Sequence, residues 1–188
     1  MKKIDCIFYL VDNSIFLYNL KSENITRYNL SNYIYNGRIV KVSSFIKKIN
    51  EIIKQERIIK IFTGQKAIII YEPFLKYNDK KIILDSFEQC GFKDIKLIST
   101  LQILPKNKNY IEINENYLIL YSKKKYTVIN INEYFKVKDI LKRIISKITE
   151  EIFLLGINDK IPELANLNKN LFYLEDSIHY FLYNVKKN

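Results

Sequence analysis

The sequence predicts an α/β fold built twice, as two tandem units with mixed sheets at residues 1–105 and 106–188. Three observations predict it. Residues 12–28 (DNSIFLYNLKSENITRY) and 115–129 (ENYLILYSKKKYTVI) share an acid–Asn pair, an apolar strand ending in Tyr18 or Tyr121, a polar Lys-bearing turn and a second strand. Residues 45–64 and 140–156 both pass from helical spacing into a continuous apolar run closed by a glycine. A helix and a last strand then follow in each half. Similarity carried through several elements in the same order marks a repeated supersecondary unit.

Residues 4–11 read as an apolar first strand that turns at Asp12-Asn13, a dipeptide suited to a tight hairpin. Residues 110–113 are their counterpart, turning through Asn114-Glu115-Asn116. Each half then forms a meander of three antiparallel strands. Phe45, Ile49, Ile52 and Ile53 fall on one helix face, and Ile140, Ile144, Ile145 and Ile148 on another. Ser43 or Ser44 is the expected cap of the first helix, and Asp139 is expected in the first turn of the second. Residues 58–62 and 152–155, closed by Gly64 and Gly156, are expected as buried parallel strands with Ile61 and Leu154 central. Residues 78–90 form a helix stopped at Gly91, followed by a strand at 95–98. The second half is expected to have a short helix at 162–167, a strand at 171–174 and a terminal helix at 176–185. This order is that of the ribonuclease-H-like unit, present twice.

Composition bounds the function. Lys, Ile, Asn and Tyr, all with AT-rich codons, make up 96 of 188 residues, so base composition accounts for much of the net charge of +11. The basic residues are 27 Lys against 4 Arg. Arginine makes the bidentate phosphate and guanine contacts, which places nucleic acid low among the partners. Cys6 and Cys90 fit no disulfide framework and no metal spacing, and read as reduced core thiols of a cytoplasmic protein. The opening MKKIDCIFYLVDNSIF is broken by Asp5 and Asp12 and does not read as a signal peptide. No apolar run approaches the roughly 20 residues of a membrane span.

Four passages resemble the bacterial actin-like superfamily of the MreB, FtsA and PilM types. Asn36-Gly37-Arg38-Ile39-Val40 resembles the entry to its first long helix, and the run from Asp85 through Gly91-Phe92 to Ile98 its helix–Gly–Phe–strand passage. Residues 153–164, FLLGINDKIPEL, are similar to its adenosine-side loop and helix, and Leu174-Glu175-Asp176 to a passage near its end. The resemblance implies the actin-like ATPase core, with the small flanking subdomains missing. It also implies ATP held between the halves by two hairpins rich in Gly and Thr/Ser. Here the chain departs from the pattern: Leu10-Val11-Asp12-Asn13-Ser14-Ile15 and Ile113-Asn114-Glu115-Asn116-Tyr117 contain no glycine, and Ile157 and Asn158 follow Gly156. Such loops need glycine so that backbone amides approach phosphate oxygens without a Cβ in the way. Asp12, Asn13, Ser14, Glu115, Asn116 and Gly156 are thus expected to be remnants of nucleotide loops, with no cofactor and no metal.

Catalysis is not expected. Asp5 and Asp12 lie seven residues apart on or beside one strand, unlike the paired carboxylates of a two-metal nuclease. His179 has no nucleophile signature near it. The expected function is a non-catalytic actin-like scaffold or adaptor that binds another protein of a cell-shape, division, pilus or secretion assembly, at the membrane face or as a homo-oligomer. Tyr33, Tyr35, Tyr71 and Phe74 are the aromatic candidates for that contact, and Lys123, Lys124 and Lys125 at a hairpin tip the basic ones. Alternative readings are a divergent ATP-binding member using Asp12 and Glu115 for a metal, and a basic nucleic-acid-binding module.

Overall fold

The computed structural model describes residues 4–58, 65–122, 125–131, 134–146, 150–156, 171–173, 180, 181 and 185. The chain divides into two compact units, Met1–Thr100 and Leu101–Asn188. The first contains β1 (Cys6–Val11), β2 (Ser14–Asn19), β3 (Asn24–Asn29), the short pair β4 (Ile34–Tyr35) and β5 (Arg38–Ile39), α1 (Val42–Gln55), β6 (Gln65–Tyr71), α2 (Tyr77–Gln89) and β7 (Phe92–Ser99). A four-residue helix α3 (Thr100–Ile103) follows at the division. The second contains β8 (Asn109–Ile113), β9 (Tyr117–Ser122), β10 (Lys125–Asn130), α4 (Tyr134–Ile145), β11 (Ile152–Gly156) and β12 (Leu171–Tyr173).

Each unit carries a five-stranded mixed sheet, in the orders β3-β2-β1-β6-β7 and β10-β9-β8-β11-β12. With the separate β4–β5 pair set aside, the strand orders of the two units are the same. The parallel strand after the first long helix pairs with the first strand in both, β6 with β1 and β11 with β8. The correspondence reaches single hydrogen bonds. Leu30 N–H donates to the Asn13 carbonyl at 2.7 Å, and Ile131 N–H to the Asn116 carbonyl at 2.8 Å.

The sheet centre explains the sequence pattern. Every residue of β1 is buried, as expected of a strand flanked on both edges and covered on both faces. α1 lays Phe45, Ile49, Ile52 and Ile53 onto this sheet, and Phe8 meets Phe87 of α2 with ring centroids 4.8 Å apart. The second core gathers Ile111, Ile113, Leu118, Val137, Leu141, Ile152 and Leu154.

Several expectations are corrected. The parallel strand that pairs with β1 is β6; of the strand expected at 58–62, Ile58 is buried outside any strand, and residues 59–62, Ile61 among them, and Gly64 lie outside the described residues. Residues 65–71 thus form a strand flanked by β1 and β7. α1 begins at Val42 with Lys41 at its N-cap, so Ser43 and Ser44 sit inside the first turn. α4 begins at Tyr134, which moves Asp139 to its middle. β12 falls where a strand was expected, and Tyr180, Phe181 and Val185 are helical, whereas residues 162–167 lie outside the described residues.

Candidate functional site

The first of the two hairpins that match nucleotide loops has a closed tip. There Asp12 takes a left-handed φ of 52° and is wholly buried. Its carbonyl accepts the Gly37 N–H at 2.7 Å. Ser14 is buried, and its Oγ accepts from Nε and Nη2 of Arg27, both at 3.2 Å. The Arg27 guanidinium also lies 5.6 Å from the Phe16 ring centroid. The hydroxyl of this tip is thus already in use.

The β4–β5 turn closes against the same tip. Asn36 and Gly37 both have positive φ, 49° and 72°, as a two-residue primed turn demands. A Cβ on Gly37 would stand 3.5 Å from Cγ of Glu72, the residue that follows β6. Glu72 is wholly buried, and the Tyr9 hydroxyl donates to its Oε1 at 3.2 Å. The ends of β1, β6 and the small hairpin thus gather two buried carboxylates, Asp12 and Glu72.

The second hairpin is built differently. Asn114 N–H donates to the Tyr117 carbonyl at 3.0 Å, which leaves Glu115 and Asn116 at the tip, exposed and half-buried respectively. Tyr117 corresponds to Ser14 and buries its whole ring side chain. Behind it Glu112 is wholly buried, accepting the Tyr121 hydroxyl at 2.6 Å and Nδ2 of Asn114 at 3.2 Å. Gly156, at φ 130°, pairs with Ile113, and a Cβ there would stand 2.2 Å from the Ile113 carbonyl oxygen. This glycine serves close strand packing, leaving its Cα against a neighbouring strand.

The two tips differ from glycine-rich phosphate loops. Neither tip offers glycine amides, the one hydroxyl is bound by Arg27, and the position matching it carries a tyrosine. No group of three His, Cys, Asp or Glu side chains suited to a metal occurs among the described residues. Asp5 accepts the Lys66 N–H at 2.9 Å, a structural task. Burial, reinforced by the Asp5 charge, pushes the Cys6 thiol far up, which keeps it protonated and unreactive. His179 lies outside the described residues.

The partner candidates separate. Tyr71 is buried in the first core with the Lys80 ammonium 5.2 Å from its ring centroid, and Tyr33 and Phe74 are half-buried against that core. Tyr35 stands out at 57% exposure. Lys125 is exposed, and Lys123 and Lys124 lie outside the described residues. The sequence reading missed the buried acids Glu72 and Glu112. Their signal was present: a single carboxylate after or within an uninterrupted apolar strand.

No family model matches the chain, and no curated protein matches its sequence. Its fold has many relatives among solved structures. The ethanolamine utilization protein EutJ from Carboxydothermus hydrogenoformans superposes with a TM-score of 0.68 at 10% identity, over 98% of this chain and 89% of that one. MreB5 of Spiroplasma citri bound to ADP gives 0.63 at 8% identity, over 97% and 94%. The cytoplasmic domain of EpsL, an inner membrane component of the type II secretion system of Vibrio cholerae, gives 0.53 at 7% identity, over 97% and 94%. These are proteins of the actin-like ATPase fold. This chain has that fold, as a mixed α/β structure with two mixed sheets.

Proposed function

We propose that this actin-like chain is a non-catalytic binding protein, one that keeps the two-unit core and uses it to hold another protein in a cytoplasmic assembly at the inner membrane face or as a homo-oligomer. The observation that carries the reading is the first hairpin tip. Asp12 is wholly buried and its carbonyl is taken by Gly37, while Ser14 Oγ is taken by Arg27. Tyr117 at the matching place of the second hairpin supports it, because a buried phenol ring fills space that a phosphate needs. The EpsL neighbour, described as an inner membrane component of a secretion system, supports an assembly role. No helix among the described residues is long and apolar enough to cross a membrane.

A second reading is a divergent nucleotide-binding protein, favoured by MreB5 having been solved with ADP and with AMPPNP. Thermal melts with and without Mg-ATP and Mg-GTP separate the two. A site filled at about 100 times its dissociation constant adds roughly 2.7 kcal/mol, a shift of several degrees in Tm. The scaffold reading expects no shift. A saturable rise with either nucleotide favours the second reading.

A further inference from the structure

Five large apolar side chains stand exposed among the described residues, and four of them, Tyr35, Val40, Val42 and Tyr77, lie on two neighbouring segments of the first unit. One segment is the β4–β5 hairpin running into α1; the other is the start of α2. The Arg38 guanidinium meets the Asp79 carboxylate at 3.6 Å, and Tyr35 is the strand partner of Arg38. Tyr35 is thereby brought beside the first turn of α2, where Tyr77 is 78% exposed. Ile34 and Ile39 anchor the hairpin in the core, and Val40 N–H donates to the Tyr33 carbonyl at 2.8 Å. Exposed apolar residues scattered singly are ordinary; a group on two joined, anchored segments marks an interaction surface.

The charge around the group is predominantly positive. Residues 31–42 and 73–81 contain Arg38, Lys41, Lys76, Lys80 and Lys81 against Asp79 alone. Asp79 is already committed, to Arg38 and to the Lys76 N–H at 2.9 Å. We infer that this face docks an acidic segment of a partner protein, one with apolar side chains set between its carboxylates. The inference rests on the protein-binding reading proposed above and gives it a place and a partner chemistry. Tyrosines with basic neighbours suit an interface that is half wet, and complementary charge steers the encounter. Val40 and Val42 add aliphatic surface suited to apolar side chains of a peptide, whereas single-strand binders rely on aromatic platforms over a basic groove. A second copy of this chain would bring a further +11 toward the same basic face.

The test uses the full chain labelled with ¹⁵N and a synthetic 14-residue peptide alternating Asp or Glu with Leu and Phe. Controls are the same peptide with Lys in place of its acids, a 20-nucleotide oligothymidylate, and phosphatidylglycerol vesicles. The acidic peptide is expected to shift amide resonances of residues 33–42 and 74–81, and the Lys peptide to leave them unmoved. In Tyr35→Ser/Tyr77→Ser its affinity is expected to fall about tenfold or more, as for aromatic anchors at an interface centre. Both side chains are exposed, so the double variant keeps its fold. Tighter binding of the oligonucleotide or vesicles at these resonances, concentration-dependent self-association lost in the double variant, or no acidic-peptide shift there overturns the inference. Peptide shifts elsewhere also overturn it while leaving the protein-binding reading standing. A Mg-ATP titration on the same sample judges that reading separately.

Discussion

Gly156 and Gly37 show how differently one residue type is used. At Gly156 the backbone is left-handed and the Ile113 carbonyl oxygen occupies the place of a Cβ, 2.2 Å away. Gly156→Ala must therefore separate β11 from β8, and we expect a loss of about 2–4 kcal/mol in urea unfolding. At Gly37 a Cβ would find ordinary contacts at 3.5 and 3.6 Å, so only the conformation resists, at about 1–2 kcal/mol. Equal losses in the two variants would contradict this packing. Titration gives a second check at this scale. Burial and the Tyr180 hydroxyl push the Tyr110 phenol up, and burial with the Glu56 carboxylate pushes Tyr28 up. A folded-state pKa above the unfolded one favours the protonated form. The contribution is full below the ordinary tyrosine value of about 10 and is lost as pH climbs beyond it. Stability measured by denaturant midpoint is expected to hold through neutrality and fall in alkali, with a shallower fall in Tyr110→Phe.

Among the elements, the sequence displays its hairpins and glycine stops more plainly than its central strand. Asp12-Asn13, the run ending at Gly91 and the Gly156 stop were legible because each marks a specific backbone need. β6 was misplaced because two apolar runs, around Ile58–Ile61 and Ala67–Ile70, are equally strand-like, and periodicity cannot choose between them. Register decides it: Ala67 pairs with Cys6 as Ile152 pairs with Asn109, so Tyr71 rather than Gly64 corresponds to Gly156. The early start of α1 left no trace in the residues, since Lys41 makes no side-chain cap. Asn36-Gly37 did carry a hairpin signal, yet strands of two residues are too short to show alternation. From this register Ile69 and Leu154 are equivalent, both wholly buried. Ile69→Ala and Leu154→Ala are each expected to cost about 2–5 kcal/mol in denaturant unfolding. A loss below about 1 kcal/mol in either would place that strand at an edge. Tyr121→Phe removes a donor from the buried Glu112 and is expected to cost about 1–3 kcal/mol.

For the whole molecule, the same strand order recurs in two units, while the tips that would serve a ligand have diverged from each other. Ser14 is bound by Arg27 in one and replaced by buried Tyr117 in the other. The fold was legible in the sequence because hydrophobic pattern and turn chemistry specify it twice. The closed state of the first tip was not, since it depends on Arg27 reaching back from β3 and on Gly37 arriving from a separate hairpin. Isothermal calorimetry with Mg-ATP at moderate salt separates a closed first tip from a nucleotide site. No saturable heat is expected, beyond a weak salt-sensitive signal from the +11 charge that is unchanged in Asp12→Ala. A one-to-one site that disappears in Asp12→Ala would contradict the closed tip.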